Sequence, residues 1–489
     1  MEQVDLLVVG GGINGVGIAR DAAGRGLSVV LVEKDDLAAH TSSASSKLIH
    51  GGLRYLEQFE FKLVRESLVE RERLLRAAPH IVEPLEFVIP ATGSGRAAWK
   101  LRVGLLLYDH LAGRKGLPRS RSLRPNDLGD GLTPALQGGL AYWDCRVQDS
   151  RLVVLNAMDA AERGAMILTR TELLTARREG SQWIARIHSS GHERSVKARA
   201  LVNAAGPWAG DLLSHVRGTK RCPAVRLVKG SHIVLPRLYD GDHAFLLQHR
   251  DGRVVFAIPF EDEFTLVGTT DVEWCGAPDG PSISSEETDY LLAAVAAYFT
   301  RNVTAQDIVW DFAGIRSLYD DGAADPSKIT RDYRIDLDTS GPPLLTIFGG
   351  KITTYRSLAE RALDRLGPLL RKGGGAWTER AVLPGGDVPN GTIEEYAASL
   401  AQAYSGLHPR LPTRLAKAYG TRVERVLENV KSVNDLGEHF GAGLYEREVE
   451  YLVRNEWART AEDVLFRRSK LGLHVRQDDA ARLRRHMGG

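Results

Sequence analysis

Cysteine is scarce in this chain. Its 489 residues hold three, Cys145, Cys222 and Cys275, which lie far apart and form no C-x-x-C pair. That argues against an iron–sulfur or zinc centre and leaves three reduced core thiols, so no metal is expected. Long apolar runs are also missing. No stretch approaches the roughly 18 to 20 residues of a membrane-spanning helix. Charge of one sign is not in excess either: 64 Lys and Arg stand against 62 Asp and Glu, a net charge of +2 that is too balanced to suggest nucleic acid as a partner. There is no internal repeat and no low-complexity segment. Met1 is followed directly by the first strand, with acidic Glu2 and Asp5, so no secretory signal and a cytoplasmic location are expected. Hydrophobic residues at 43% and charged residues at 26% are ordinary for a globular chain, and the length suggests two or three domains.

What the chain does have begins at Asp5–Glu33, DLLVVGGGINGVGIARDAAGRGLSVVLVE. Leu6 to Val9 read as an apolar strand, Gly10 to Gly15 as a tight turn, and Ile18 to Ala23 as the start of a helix packed back on the strand. Gly10 permits the bend, Gly12 lets backbone N–H groups approach a pyrophosphate, and Gly15 lets helix and strand pack closely. A second strand, Ser28 to Val32, ends on Glu33, whose carboxylate suits the hydroxyls of an adenosine ribose and would repel a 2′-phosphate. This pattern predicts nucleotide binding without choosing between FAD and NAD.

The polar loop His40 to Lys47 follows, then Leu48-Ile49-His50-Gly51-Gly52-Leu53-Arg54-Tyr55-Leu56. Hydroxyls, a lysine and paired glycines suit a loop lying along a cofactor, although composition alone favours a plain surface loop. Arg65 to Arg76 is a charged amphipathic helix. Between Arg96 and Arg124 eight basic side chains, among them Lys100, Arg102, Arg114 and Lys115, face one acid, Asp109, and interleave with apolar residues from Trp99 to Leu111. That stretch reads either as an interfacial helix on anionic lipid or as a core-facing helix with a basic rim.

From Trp183 to Asp271 the pattern is mostly strand: Trp183 to Ile187, Val225 to Val228, His232 to Leu235, Val254 to Ile258 and Phe264 to Val267. These suggest a largely antiparallel sheet separate from the opening fold. Ala200 to Trp208 reads as a buried strand that returns the chain to the nucleotide sheet. A helix is expected near Ser285 to Thr300. Leu344 to Phe348 is a strand that stops at Gly349-Gly350-Lys351 before the helix Arg356 to Leu366. Gly373 to Pro389 reads as a linker, and the pattern beyond it is helical.

The segments GGGINGVGIARDAAGRGLSV, TSSASSKLIHGGLRYLE, LVNAAGPW, KGSHIVLP, GTTD, ITRDY and FGGKITTYR together resemble the FAD-dependent, respiratory glycerol-3-phosphate dehydrogenases. The resemblance implies an α/β fold: a Rossmann-like FAD-binding domain, an antiparallel-sheet substrate domain and a C-terminal all-helical cap. The expected FAD-binding parts are 1–80, about 145–220 and 340–372, the substrate parts are about 81–144 and 221–339, 373–389 is the linker, and 390–489 is the cap. It implies that Gly10, Gly12, Ile13, Asn14, Gly15, Glu33 and Lys34 hold the ADP half of FAD. Thr41, Ser42, Ser43, Ser46 and Lys47 would lie nearer the flavin, and Gly206, Gly349, Gly350 and Lys351 would complete the site. Substrate contacts would come from His50, Arg54, Tyr55, Lys229, His232, Thr270, Arg316, Arg331 and Lys351. The implied reaction takes hydride from C2 of sn-glycerol 3-phosphate to flavin N5. His50 is the first candidate base and His232 the second, and Arg316 and Arg331 clamp the phosphate. Electrons would pass to ubiquinone or menaquinone, with the protein attached peripherally to the inner face of the cytoplasmic membrane; a homodimer is left open. A glycerol-phosphate oxidase using oxygen and an amine or amino-acid oxidase are the alternatives. One departure stands out: relatives carry proline after the arginine of G-x-R-P-L, and this chain has Ser317, which predicts a less rigid loop around Arg316.

Overall fold

The computed structural model describes residues 2–57, 59–91, 95–112, 116–218, 225–319, 333–389 and 391–488. Strand β1, Glu2–Val9, helix α1, Ile13–Gly24, and strand β2, Val29–Val32, form in the order the opening stretch predicts. Leu6, Leu7 and Val8 have no exposed surface, as befits a strand covered on both faces. β1 pairs in parallel with β2 on one side and with His192–Asn203 on the other. Helices Asp149–Glu162 and Tyr355–Leu370 pack beside α1 over one common core. Small residues make that packing close. A Cβ on Gly17 would stand 2.7 Å from the Tyr355 ring.

His192–Asn203 has two kinds of neighbour. Its first half pairs antiparallel with Gln182–Ser189, and its last three residues pair in parallel with Leu344–Phe348. The strand around Trp183 therefore belongs to the nucleotide sheet, whereas the strand pattern grouped it with an antiparallel sheet separate from the opening fold. The hairpin Thr171–Glu179 and Gln182–Ser189 grows from the exposed half of that strand, and alternation within a strand carries no record of which sheet receives it.

A second sheet, of ten strands among the described residues, is mainly antiparallel, and its longest strand is Val225–Pro236. The two short segments predicted at 225–228 and 232–235 are one continuous strand through Lys229-Gly230-Ser231. Val225–Pro236 pairs with Trp310–Tyr319 over ten residues. Gly230 is needed there, because a Cβ would lie 2.5 Å from Arg316 Nη2. Helix Ser285–Tyr298 covers one face of this sheet and starts at a capping box between Ser284 and Glu287.

Residues 373–389 contain no helix or strand, yet they are fastened down. Trp377 sits on Gly24, with the Arg163 guanidinium 4.0 Å and the Arg20 guanidinium 5.1 Å from its ring. The Leu383 N–H donates to Ala77 O at 2.8 Å. Beyond it a helical unit has its own core, from Ile393 to Leu483.

Candidate active site

One cavity of about 570 Å3 is lined from both sheets: Val9, Gly10 and Val32 come from the first, and Phe256, Ile315 and Arg316 from the second. Its nucleotide end is built by the glycine turn. Gly10 has φ of +114°, and a Cβ there would stand 2.4 Å from Ala204 O. A Cβ on Gly15 would stand 1.9 Å from Gly10 O, so this glycine serves helix–strand contact and does not itself line the cavity. Gly12 is the N-cap of α1 and has no capping side chain, which presents the positive end of the helix to the cavity that Gly12, Ile13 and Asn14 line.

Glu33 lines the same end. Its Oε2 accepts the Gly11 N–H at 2.6 Å and its Oε1 the Asp35 N–H at 2.8 Å. Burial pushes its carboxyl above the ordinary range, while these two N–H groups oppose the shift. Each oxygen keeps a second lone pair for a ribose hydroxyl. Lys34 closes the mouth: its Nζ lies 4.6 Å from the Trp208 ring and 3.1 Å from Asp279.

The loop after His40 spans the cavity floor. Ser42 Oγ accepts the Ile13 N–H at 3.0 Å, and Thr41 Oγ1 donates to Ile315 O at 2.6 Å, tying α1 to the strand that carries Arg316. Asn14 Nδ2 donates to Gly349 O at 3.1 Å, and its buried Oδ1 has no partner among the described residues. Gly349 and Gly350, with φ of +72° and +104°, form the turn opposite. Thr41, Ser42, Ser46, Gly206, Gly349 and Gly350 all line the cavity, as do His50, Tyr55, Arg316 and Lys351. Lys351 Nζ stands 3.7 Å from the centroid of the Tyr55 ring. Arg316 is ion-paired with Asp271 and donates to Thr269 Oγ1 at 3.1 Å. Arg316 and Ser317 lie in a paired strand, not a loop. The ladder and these two partners hold the guanidinium, so the missing proline does not loosen it.

Several expected site residues are used elsewhere. The side chains of one strand alternate between faces, and Lys229 and Ser231 fall on the face covered by helix Ser285–Tyr298. Lys229 Nζ pairs with Glu287 at 2.8 Å, and Thr270 Oγ1 donates to the same carboxylate at 2.7 Å. Both anchor that helix, and neither lines the cavity. His232, on the opposite face, is 1% exposed, stacks on Phe312 at 4.8 Å and shares a 2.9 Å hydrogen bond with Ser46 Oγ. It sits behind Ser46, and burial together with the Arg316 and Lys47 cations holds its pKa well below the ordinary imidazole value. Lys47 is buried against Asp149 at 2.9 Å, and Ser43 Oγ donates to His40 O, so neither side chain faces the cavity. Arg54 is half-buried away from the lining, and Arg331 lies outside the described residues. Sequence reasoning missed Phe256, Thr269, Trp208 and Asp279. Thr269 is part of GTTD and Trp208 ends LVNAAGPW, whereas nothing local distinguishes Asp279.

The glycine cradle and the N-terminus of α1 fit the pyrophosphate of a dinucleotide, the unpartnered Asn14 Oδ1 fits a hydrogen-bond donor on the same molecule, and the cations at the other end fit an anionic substrate. A fold of this kind with such a cavity defines a nucleotide-dependent oxidoreductase. Residues 5–356 match the FAD dependent oxidoreductase family, and residues 376–486 match the C-terminal domain of alpha-glycerophosphate oxidase. The chain is 53% identical to a glycerol-3-phosphate dehydrogenase of Pseudomonas aeruginosa, with 99% of this chain and 95% of that protein covered. It is 50% identical to a D-erythritol 1-phosphate dehydrogenase of Brucella abortus, covering 98% and 97%. The glycerol-3-phosphate dehydrogenase of Bacillus halodurans complexed with FAD has a similar structure, with a TM-score of 0.78 at 27% identity and coverage of 99% and 94%. The chain belongs to the FAD-dependent glycerol-3-phosphate dehydrogenase family, and its cofactor is FAD.

Proposed function

We propose that this protein oxidises the secondary alcohol of sn-glycerol 3-phosphate to dihydroxyacetone phosphate and delivers the electrons to a membrane quinone. The observation that carries this reading is the meeting of His50, Tyr55, Arg316 and Lys351 on one cavity with the glycine cradle. Arg316 and Lys351 bind the phosphate through charge-assisted bonds and so fix the alcohol carbon. His50 accepts the proton of the C2 hydroxyl as the C2–H bond gives up its electron pair. The chemistry FAD supplies when bound is acceptance of that hydride. His232 is a poorer base than His50, because it is enclosed behind Ser46.

Steady-state assay with glycerol 3-phosphate tests the reading, using a soluble quinone in one arm and an oxygen electrode in the other. Faster turnover with oxygen alone makes the protein an oxidase. D-erythritol 1-phosphate belongs in the same assay, because the 50% identity to a dehydrogenase of that compound supports it as a second substrate. Replacing His50 with alanine should lower kcat by about 10²- to 10⁴-fold. Near-normal kcat with FAD bound would remove it as the base.

A quinone acceptor requires contact with the bilayer, and no helix among the described residues is long and apolar enough to cross one. Helix Gly95–Ala112 supports peripheral attachment to the inner face of the cytoplasmic membrane. It buries Leu105 and Tyr108 and exposes Trp99, Val103, Leu106 and Leu107 beside exposed Lys100 and Arg102. Exposed Phe59 and Phe61 follow the turn that carries Tyr55. Tyr108 OH accepts the Gly51 N–H at 2.9 Å, which ties the helix to the turn next to His50. Arg114 and Lys115 lie outside the described residues. Liposome flotation should weaken when Lys100 and Arg102 become glutamine, since each basic residue near anionic lipid contributes about 1 kcal/mol.

A further inference from the structure

Asp36 stands three residues after Glu33, at the end of the loop that bounds the adenosine end of the cavity, and is 3% exposed. A carboxylate so deeply buried needs cationic partners. Arg170 stands 3.9 Å from its Oδ1, and the closer partners come from the far end of the chain. Arg468, with no exposed surface, makes a bidentate pair with Asp36, Nη1 to Oδ2 and Nη2 to Oδ1, both at 2.8 Å. Arg467 Nε adds a third bond to Oδ2 at 2.7 Å. Arg468 is itself fixed within the C-terminal domain, because its Nε donates to Glu456 O at 2.9 Å. The other side of the loop is tied to the nucleotide sheet: the Thr171 N–H donates to Glu33 O at 2.7 Å and the Arg170 N–H to Asp35 O at 2.8 Å.

The two arginines sit on Asp463–Arg468, a single turn of π-helix. Such turns cost backbone regularity and tend to occur where a helix must aim particular side chains. Phe466, immediately before them, packs toward the strand Trp310–Tyr319 of the second sheet. Phe466 packs 5.6 Å from Trp310, Trp310 lies 4.9 Å from Phe312, and Phe312 stacks on His232, the partner of the cavity-lining Ser46. One turn of the C-terminal domain thus reaches the supports of both ends of the cavity.

We infer that the C-terminal domain sets FAD retention through Arg467 and Arg468, which hold Asp36 and thereby the Glu33 loop in the conformation that receives the cofactor. These are positioning residues, acting through Asp36 and not by contact with FAD. The bond geometry is bidentate, so charge alone is not enough: lysine at 468 keeps the cation and loses the fork.

The test is made on the full-length holoenzyme. FAD release is followed by the recovery of free flavin fluorescence on dilution, the dissociation constant by reconstitution of the apoprotein, and apoprotein stability by thermal unfolding. Arg468→Gln and Asp36→Asn should each raise the dissociation constant about tenfold or more, the scale of one lost charge-assisted bidentate pair. Arg468→Lys should fall between them and the parent. Arg467→Gln, at a partly exposed side chain, should give a smaller rise and settles the matter if the Arg468 variants do not fold. Arg414→Gln serves as control, because it breaks a pair with Glu448 inside the C-terminal domain without touching Asp36. The inference is overturned if Arg467→Gln and every folded variant at 468 bind FAD as tightly as the parent. It is equally overturned if Arg414→Gln weakens FAD as much as they do, which would mark a general loss of domain stability. FAD binding is read directly, so the result does not depend on which alcohol is oxidised.

Discussion

Lowering the pH from 7.5 to 4.5 should destabilise this protein through His80. The side chain has no exposed surface, and neither ring nitrogen has a hydrogen-bond partner among the described residues. Burial, and then the Arg151 cation, push its pKa from the ordinary 6.5 down to about 3. The folded state therefore keeps His80 neutral, while the unfolded chain takes up a proton as pH falls below 6.5. Because the unfolded state binds more protons in that window, stability falls with pH, by about 1.4 kcal/mol per unit, until the folded-state pKa is reached. Across the stated range the loss is roughly 3 kcal/mol. Carboxylates and other histidines titrate in the same range, so the assay must isolate one residue. Thermal or denaturant unfolding of the parent and of His80→Phe, each followed from pH 7.5 to 4.5, gives that difference of differences. The variant should be the less pH-sensitive of the two by about the amount derived. Parallel stability curves for the two proteins would refute the reasoning, and would mean that the imidazole is hydrated or charged in the native state.

Three further outcomes follow from the geometry. Gly15→Ala should abolish FAD retention, since its Cβ would lie 1.9 Å from Gly10 O and the overlap costs more than about 3 kcal/mol; visible flavin absorbance of the purified variant reads this, and a fully yellow protein would contradict it. Lys47→Met should destabilise the fold by about 3 to 5 kcal/mol by leaving Asp149 without its buried cation, while the FAD dissociation constant changes little; weaker FAD with unchanged unfolding would return Lys47 to the cofactor site. Arg316→Ala should raise KM for glycerol 3-phosphate by about 10- to 100-fold, with a smaller effect on kcat and a reduced preference for phosphate over unphosphorylated glycerol; an unchanged KM would take the phosphate away from this arginine.

The opening βαβ unit was legible because its information is local. Gly15 and Glu33 act within the opening unit, on Gly10 O and the Gly11 N–H, whereas the close contact that requires Gly10 is to Ala204 on a later strand, and only its place in the turn is local. The small-residue end of the strand at Asn203, the turn at Gly349-Gly350 and the helical C-terminus were legible for the same reason: strand periodicity, turn residues and helical spacing are properties of short windows. The tertiary structure alone decided which polar residues face the cavity. In the strand Val225–Pro236 a shift of one residue exchanges the covered face for the cavity side, so Lys229 is spent on Glu287 and Gly230 makes room for Arg316. It also decided that the strand around Trp183 joins the nucleotide sheet, and that the Lys47 side chain pairs with buried Asp149. The same holds for Asp36 and Arg468. They are 432 residues apart, each an ordinary surface charge by composition, and become a buried pair only because the C-terminal domain folds back onto the loop that ends the first unit.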